Sequence, residues 1–299
     1  MSSDEINRYG LRRYIDAETR RAIRRSAGFG CVSCGLAIGQ YEHIDPTFAD
    51  AKEHDPERMT FVCGACHDKV NRKIWSKEKL SQDRLRPWAL KQGRRCHDAF
   101  DVGGQDVAVW FCSTKCVRVR HILRINGETL LAIEPPEEAG GPYRLSGRFY
   151  DSAGKLRFEI ARNEWTGDPL SYDIETVGPR LIIRSEPREI CLQLCAHPPR
   201  GIVIERLKMQ FGTTRIQGNR KELHITGDRN VKFSGPFSIT GHEDGVVFLD
   251  IGPTWQSIAG GGYAIVGPDN ERPPWHKPAT NDSPCPCAIR TTATACRGL

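Results

Sequence analysis

The sequence predicts an α+β protein in which a small cysteine-stapled domain precedes a larger all-β domain and a disordered tail. Three observations carry that expectation. Two Cys-x-x-Cys pairs fall within residues 31–66. Beyond residue 99, short apolar or alternating runs recur between turn signals, which is the spacing of an all-β domain. From Pro268 on, Pro, Asn and Ser dominate and periodicity is lost, as in segments with too little apolar surface to fold. The expected boundaries are 1–98, 99–267 and 268–299.

Composition narrows the class. The chain has 299 residues with 29 Gly and 19 Pro, which suits two turn-rich units better than a helical bundle. No apolar run approaches the ~20 residues of a membrane-spanning helix. The first 30 residues are dense in arginine and lack an apolar stretch, so they do not read as a signal peptide. A soluble, cytoplasmic protein with no membrane partner is expected. In that setting the 12 cysteines argue for metal ligation over disulfides. Charge is uneven: residues 1–98 carry 19 Lys and Arg against 14 Asp and Glu, while residues 99–299 carry 24 against 23. The excess in the first third suggests a polyanion partner, nucleic acid, for that part.

The elements follow in order. A helix is expected from Asp16 to about Ala27, with Asp16 as its cap and no breaker before Gly28. Thr19, Ile23 and Ala27 repeat every four residues on one face. Arg20 with Arg24, and Arg21 with Arg25, form two cationic stripes suited to a phosphate backbone; the alternative is a solvated charged face. A second helix starts near Gly64 and runs past Asn71, and Lys77 to Lys91 is mixed and basic. Strands are expected at 107–111, 121–125, 129–133, 143–150, 156–161, 181–184, 190–195, 202–211, 222–226, 231–239 and 246–251.

Cys31-Val-Ser-Cys34 and Cys63-Gly-Ala-Cys66 supply the four thiolates of a closed tetrahedral zinc site. Four free thiols or a redox pair are the alternatives. The 28 residues between Cys34 and Cys63 exceed the usual 15–20 spacer, so something is inserted between the two knuckles. A second metal site could draw on Cys96, His97, Cys112, Cys116 and His121, but Cys112-x3-Cys116 is a poor knuckle and its apolar neighbours favour buried thiols.

The insert contains Tyr41-Glu42-His43-Ile44-Asp45-Pro46, a polar loop, the run Arg58-Met-Thr-Phe-Val62, and His67 directly after Cys66. An acidic residue and His before Ile-x-Pro, between two Cys-x-x-Cys pairs with a closing His, resembles the HNH endonuclease family. The likeness covers roughly Arg20 to Arg72. The run from Arg24 to Asn71 also looks like bacterial and phage HNH proteins with a C-terminal β extension.

The resemblance implies a ββα-metal fold and a metal-dependent nuclease acting on nucleic acid, DNA foremost. It makes His43 the general base toward water, a task that neutral imidazole suits near pH 7. It makes Glu42 and His67 the ligands of a catalytic divalent cation such as magnesium, beside a structural zinc on the four cysteines. Adjacent residues of a regular strand face opposite sides, so Glu42 and His43 could line one site only if the strand ends or kinks there. The family's middle Asn or His falls on Arg58, which cannot ligate a metal but could clamp a phosphate. His54 could supply the missing ligand, or be a solvated loop residue. The alternative function is a catalytically degenerate nucleic-acid-binding zinc module attached to a β-rich interaction domain.

Overall fold

The computed structural model describes residues 5–91, 93–103, 107–227, 230–234, 237–241, 247–251, 256–260 and 264–268. Beyond Pro268, the expected tail lies outside the described residues. The described chain is mostly β, with few helices.

Helix α1 (Ala17–Ser26) begins at Asp16, whose carboxylate accepts from the Glu18 and Thr19 amides at 2.9 and 3.0 Å. Such a cap is worth about 1 kcal/mol. The expected stripe is buried: Ile23 and Ala27 pack on Val32, Met59 and Phe61. Strands β1 (Gln40–His43) and β2 (Met59–Val62) pair antiparallel, with Glu42 opposite Thr60 and His43 opposite Met59. Helix α2 (Gly64–Asn71) follows β2 directly. Helix α3 (Lys77–Leu85), capped by Ser76, packs Leu80 against the cysteine cluster.

The next strands are β3 (Cys96–Ala99), β4 (Ala108–Phe111), β5 (Thr114–Val117), β6 (His121–Ile125), β7 (Glu128–Glu134), β8 (Arg144–Tyr150), β9 (Leu156–Ala161) and β10 (Glu164–Gly167). After them come β11 (Asp173–Val177), β12 (Arg180–Glu186), β13 (Glu189–His197), β14 (Gly201–Phe211), β15 (Thr214–Asn219), β16 (Glu222–Thr226) and β17 (Asn230–Ser234). The last described strands are β18 (Phe237–Gly241), β19 (Val247–Ile251), β20 (Gln256–Gly260) and β21 (Ala264–Pro268). One sheet has the order β20-β19-β6-β7-β8-β9-β10-β3. The other runs β11-β12-β13-β14-β4-β5-β18-β21, with β15, β16 and β17 extending from β14.

Strand β14 serves two neighbours. Its residues Arg206 to Phe211 pair antiparallel with β15, while Gly201 to Ile204 pair parallel with β4. Gly201 starts the strand with φ 126°, and a Cβ there would lie 2.0 Å from the Ala108 carbonyl oxygen. Only glycine fits both the angle and the approach.

Alternation builds the core. In β8 the residues Leu145, Gly147 and Phe149 point inward; in β15 Thr214, Ile216 and Gly218 do so while Arg215 and Gln217 point out. Inward side chains of both sheets form one continuous core. Phe29, Ala37 and Ala89 join that core, so the cysteine-bearing part is not packed independently. Strand β3 straddles the expected boundary at 98 and pairs with β10. Among the described residues no helix is long and apolar enough to cross a membrane.

Candidate functional site

The sulfurs of Cys31, Cys34, Cys63 and Cys66 all lie within 4.8 Å of one another. Cys34 is 3.6 Å from Cys63 and 3.8 Å from Cys66. Four sulfurs held about 2.3 Å from one ion at tetrahedral angles would sit about 3.8 Å apart. The cluster could hold a metal ion, and its donors and spacing are compatible with structural zinc. The first knuckle is shaped by its backbone: Gly35 N donates to Cys31 O, and Cys31 N to Leu36 O, both at 2.8 Å. Gly35 has φ +84°, and a Cβ there would meet the Trp88 ring at 2.1 Å, so the indole closes over a bare backbone. Crowding splits the thiols. A hydrogen bond from Cys34 holds the Cys31 thiol down, the same bond pushes Cys34 up, and burial pushes Cys66 up. Further ionisation therefore needs a cation among the sulfurs.

On the other face of α2, Glu42 and His67 meet, with Oε2 and Nε2 3.2 Å apart. Neighbours on a helix differ by about 100°, so buried Cys66 faces the sulfurs while His67 faces Glu42. One turn on, Asn71 Nδ2 donates to His67 Nδ1 at 3.1 Å, which leaves the Nε2 proton toward Glu42. Lys77, the first residue of α3, donates to Glu42 Oε1 at 2.8 Å and to the His43 carbonyl at 2.6 Å. Glu42, His67, Asn71 and Lys77 line a groove of about 430 Å³ with Arg8, Arg13 and Phe48. Arg8 is paired with Asp50 and Arg13 with Glu5. Sequence reasoning missed Lys77, Asn71, Arg8 and Arg13. Only Asn71 left a local signal, its i+4 spacing from His67.

Strand β1 ends at His43, yet the two side chains still diverge as strand alternation dictates. Glu42 lines the groove; the His43 ring is buried against Phe48 and His54, at 5.5 and 5.2 Å between centroids. Burial first, then the charges of His54, Lys77 and Arg13 against that of Glu42, bring the His43 pKa down to about 4. Its imidazole is therefore neutral at pH 7. His43 Nε2 lies 3.2 Å from His54 Nδ1, and His54 Nε2 lies 2.8 Å from the Arg12 carbonyl. His54 thus partners His43, and it is not the solvated loop residue or substitute ligand that the sequence left open. Arg58 is exposed, 3.5 Å from Asp55, and does not line the groove.

Of the four α1 arginines expected to meet phosphate or solvent, two are engaged within the protein by Asp173. Arg24 is buried and gives Asp173 hydrogen bonds at 2.9, 3.0 and 3.2 Å. Arg21 reaches Asp173 at 3.4 Å and lies over the Tyr172 ring. Helix α1 packs beside β11, and the fully buried Asp173 there needs counter-charge. Arg25 is exposed beside Tyr172, and Arg20 is half-buried. The candidate second metal site is not assembled: Cys96 bonds the Gly167 carbonyl, His121 bonds Thr129, and Cys112 and Cys116 are buried thiols. Among the described residues, only the four-cysteine cluster gathers three or more such ligands. No family model, curated protein or solved structure matches the chain.

Proposed function

We propose that the chain is a metal-dependent endonuclease of the HNH type, in which β1, β2 and α2 form a ββα-metal module acting on nucleic acid, DNA foremost. The observation that supports this best is the Glu42–His67 pair, 3.2 Å apart in a groove edged by Arg8, Arg13 and Lys77. Two ligands about 2.1 Å from one divalent ion, at a right angle, would be about 3.0 Å apart. Glu42 Oε2 and His67 Nε2 therefore fit one cation without moving far, once His67 carries its proton on Nδ1 and the Asn71 amide turns its oxygen toward it. Hydrated magnesium is commonly held by one or two carboxylates plus phosphate oxygens, so a two-residue set suffices. The cation, when bound, supplies charge stabilisation at the phosphoryl group and the leaving 3′ oxygen.

The chain's own residues do the rest. The resemblance assigns the base to His43, whose neutral imidazole must turn from Phe48 and His54 toward the groove to take a proton from the attacking water. Arg8 and Arg13 exchange their carboxylate partners for phosphates flanking the scissile bond. Zinc on the four cysteines holds β2 and α2 in the register that aims His67 at Glu42. The β-rich domain braces this unit through its shared core. The ammonium of Lys77 on Glu42 favours a second reading: a nucleic-acid-binding zinc module whose cation position is filled by lysine.

The test incubates the purified full chain with plasmid DNA, with and without magnesium or manganese, beside His67→Ala and His43→Ala. Divalent-dependent cleavage lost in both variants is expected. Salt-sensitive binding without cleavage in any metal would select the second reading, and neither binding nor cleavage would overturn both.

A further inference from the structure

We propose that the turn between α2 and α3, residues 71–75, docks on duplex DNA beside the groove, with Lys73 on a phosphate and Ile74 in the minor groove. The inference rests on the nucleic-acid reading for its ligand, and on the geometry and charge of the turn for its fit. Asn71 lines the groove together with Glu42 and His67, so the turn starts at the groove's edge.

The backbone of the turn is fixed. Helix α2 ends in a Schellman motif: the Ile74 amide donates to the Lys69 carbonyl and the Lys73 amide to that of Val70, both at 2.9 Å. The motif needs a left-handed residue just past the cap, and Lys73 fills that place with φ 60°. Glycine adopts this angle without steric cost; lysine does not. The next residue of such a motif commonly packs an apolar side chain back on its helix. Here its helical neighbour is Lys69, whose ammonium lies over the Trp75 ring at 4.5 Å. Trp75 in turn packs on the core of the cysteine cluster and anchors the turn there. Ile74 is left 67% exposed at the tip.

The charge around this tip is cationic and partly uncommitted. Arg72 is held by Asp68 at 2.7 Å, and Lys79 by Asp83 at 2.6 Å. Lys69 and Lys73 are exposed, and neither forms an ion pair among the described residues. A polyanion complements them. A duplex also offers what the apolar tip needs: between its phosphates runs a minor groove about 6 Å wide, where an aliphatic side chain leaves water against sugars and base edges. A single strand has the phosphates but no such groove. An apolar tip flanked by free ammonium groups therefore favours duplex over single strand, and a turn already ordered by its cap and by Trp75 loses little entropy on docking.

Binding by the full chain, without added magnesium or manganese, tests this on a DNA duplex of mixed sequence and on one of its strands alone. Wild type should bind the duplex about tenfold or more tightly than the strand. Ile74→Ser should weaken duplex binding about tenfold and leave strand binding unchanged, whereas Ile74→Leu should keep the wild-type affinity. Lys73→Gly should lower the salt slope of duplex binding by about one. The same variant should not lower the urea midpoint, because glycine suits the left-handed position, so its weaker binding cannot be a loss of fold. Equal wild-type affinity for duplex and strand, duplex affinity unmoved by Ile74→Ser, or a salt slope unmoved by Lys73→Gly would each overturn the proposal. Duplex binding that responds to both substitutions in a protein that cleaves nothing would sink the nuclease reading and leave this surface standing. Divalent-dependent cleavage with no such response would remove this surface alone.

Discussion

Arg24 and Asp173, 149 positions apart, form a buried forked ion pair: both carboxylate oxygens accept from the guanidinium, and Asp173 is fully buried. Arg21 and Arg184 add contacts to the same carboxylate at 3.4 and 2.9 Å, and the Tyr41 hydroxyl accepts from Arg24 Nη1. The pair ties α1 to β11 and so joins the part bearing the groove to the large sheets. Leaving a buried carboxylate without its main partner costs about 3 kcal/mol. Arg24→Ala should therefore lower the urea midpoint clearly while leaving unchanged the salt slope of the DNA binding proposed above. Arg25→Ala should do the reverse, lowering that slope by about one if the exposed guanidinium meets a phosphate. A salt slope that drops with Arg24→Ala at constant stability would contradict the assignment.

The cysteine cluster should behave as one unit with the core beside it. Structural zinc contributes about 10–16 kcal/mol of apparent binding energy in small modules. Cys31→Ser should lose the metal, measurable by elemental analysis. Because Phe29, Ala37 and Ala89 pack into the core of the sheets, the loss should also lower the melting temperature of the β domain without abolishing its far-ultraviolet β signal. Gly35→Ala, which drives a methyl into the Trp88 ring, should weaken metal retention by the same route. A β domain that melts at the wild-type temperature in Cys31→Ser would refute the shared core.

Much of this was legible locally. Asp16, Ile23 and Ala27 announce α1 through a cap and a four-residue stripe, and the alternation of β8 and β9 is plain from Arg144 to Ala161. The spacing of the cysteines foretold their cluster. Glu42 and His67 were paired by resemblance before any distance was known. What escaped was short, polar or distant. Thr114-Lys-Cys-Val of β5, Glu164-Trp-Thr-Gly of β10 and Asp173-Ile-Glu-Thr-Val of β11 become strands because neighbouring strands pair with them, not because of their own pattern. The run 231–239 looked continuous, yet its halves are β17, at the end of the β14 ladder, and β18, beside β5. The arginine stripes looked like a free surface because Asp173 leaves no trace near residue 24. Lys77 gave no sign that it would sit on Glu42, since a lysine opening a helix is ordinary.

Acid stability should depend on a turn in the first sheet. Burial alone would raise the Asp151 pKa, but the Lys155 and Ala153 amides at 2.9 Å and Arg157 Nε at 2.7 Å hold it below the usual carboxylate range. Arg157 also donates to Asp168 at 2.8 Å. A carboxyl that is more acidic when folded stabilises the fold above its unfolded pKa, near 3.9, and loses that contribution as pH falls through the folded value. Wild type should therefore lose stability steeply below about pH 4. Arg157→Met should cost about 3 kcal/mol at pH 7 and flatten that acid slope. Urea midpoints from pH 7 to 3 read both effects; parallel curves for the two proteins would count against the network.

Lys77 decides how readily a cation enters the groove. Its ammonium already neutralises Glu42 Oε1 at 2.8 Å, and its second bond, to the His43 carbonyl at 2.6 Å, fixes it there. A divalent ion held by Glu42 and His67 would lie within a few ångströms of that charge. At an effective dielectric near 20, a unit charge about 4 Å away acts with about 4 kcal/mol, so even partial relief is worth a decade in affinity. Lys77→Met should therefore tighten manganese binding about tenfold or more, measured by calorimetry or by paramagnetic broadening. Its effect on cleavage separates two roles for the lysine. If Lys77 merely competes with the metal, Lys77→Met should cleave at wild-type rate with less manganese. If Lys77 also meets the substrate phosphate, the variant should bind metal better and cut more slowly, with Lys77→Arg in between. Manganese affinity unchanged by Lys77→Met would mean that the cation does not use Glu42, and the ligand set proposed here would have to be abandoned.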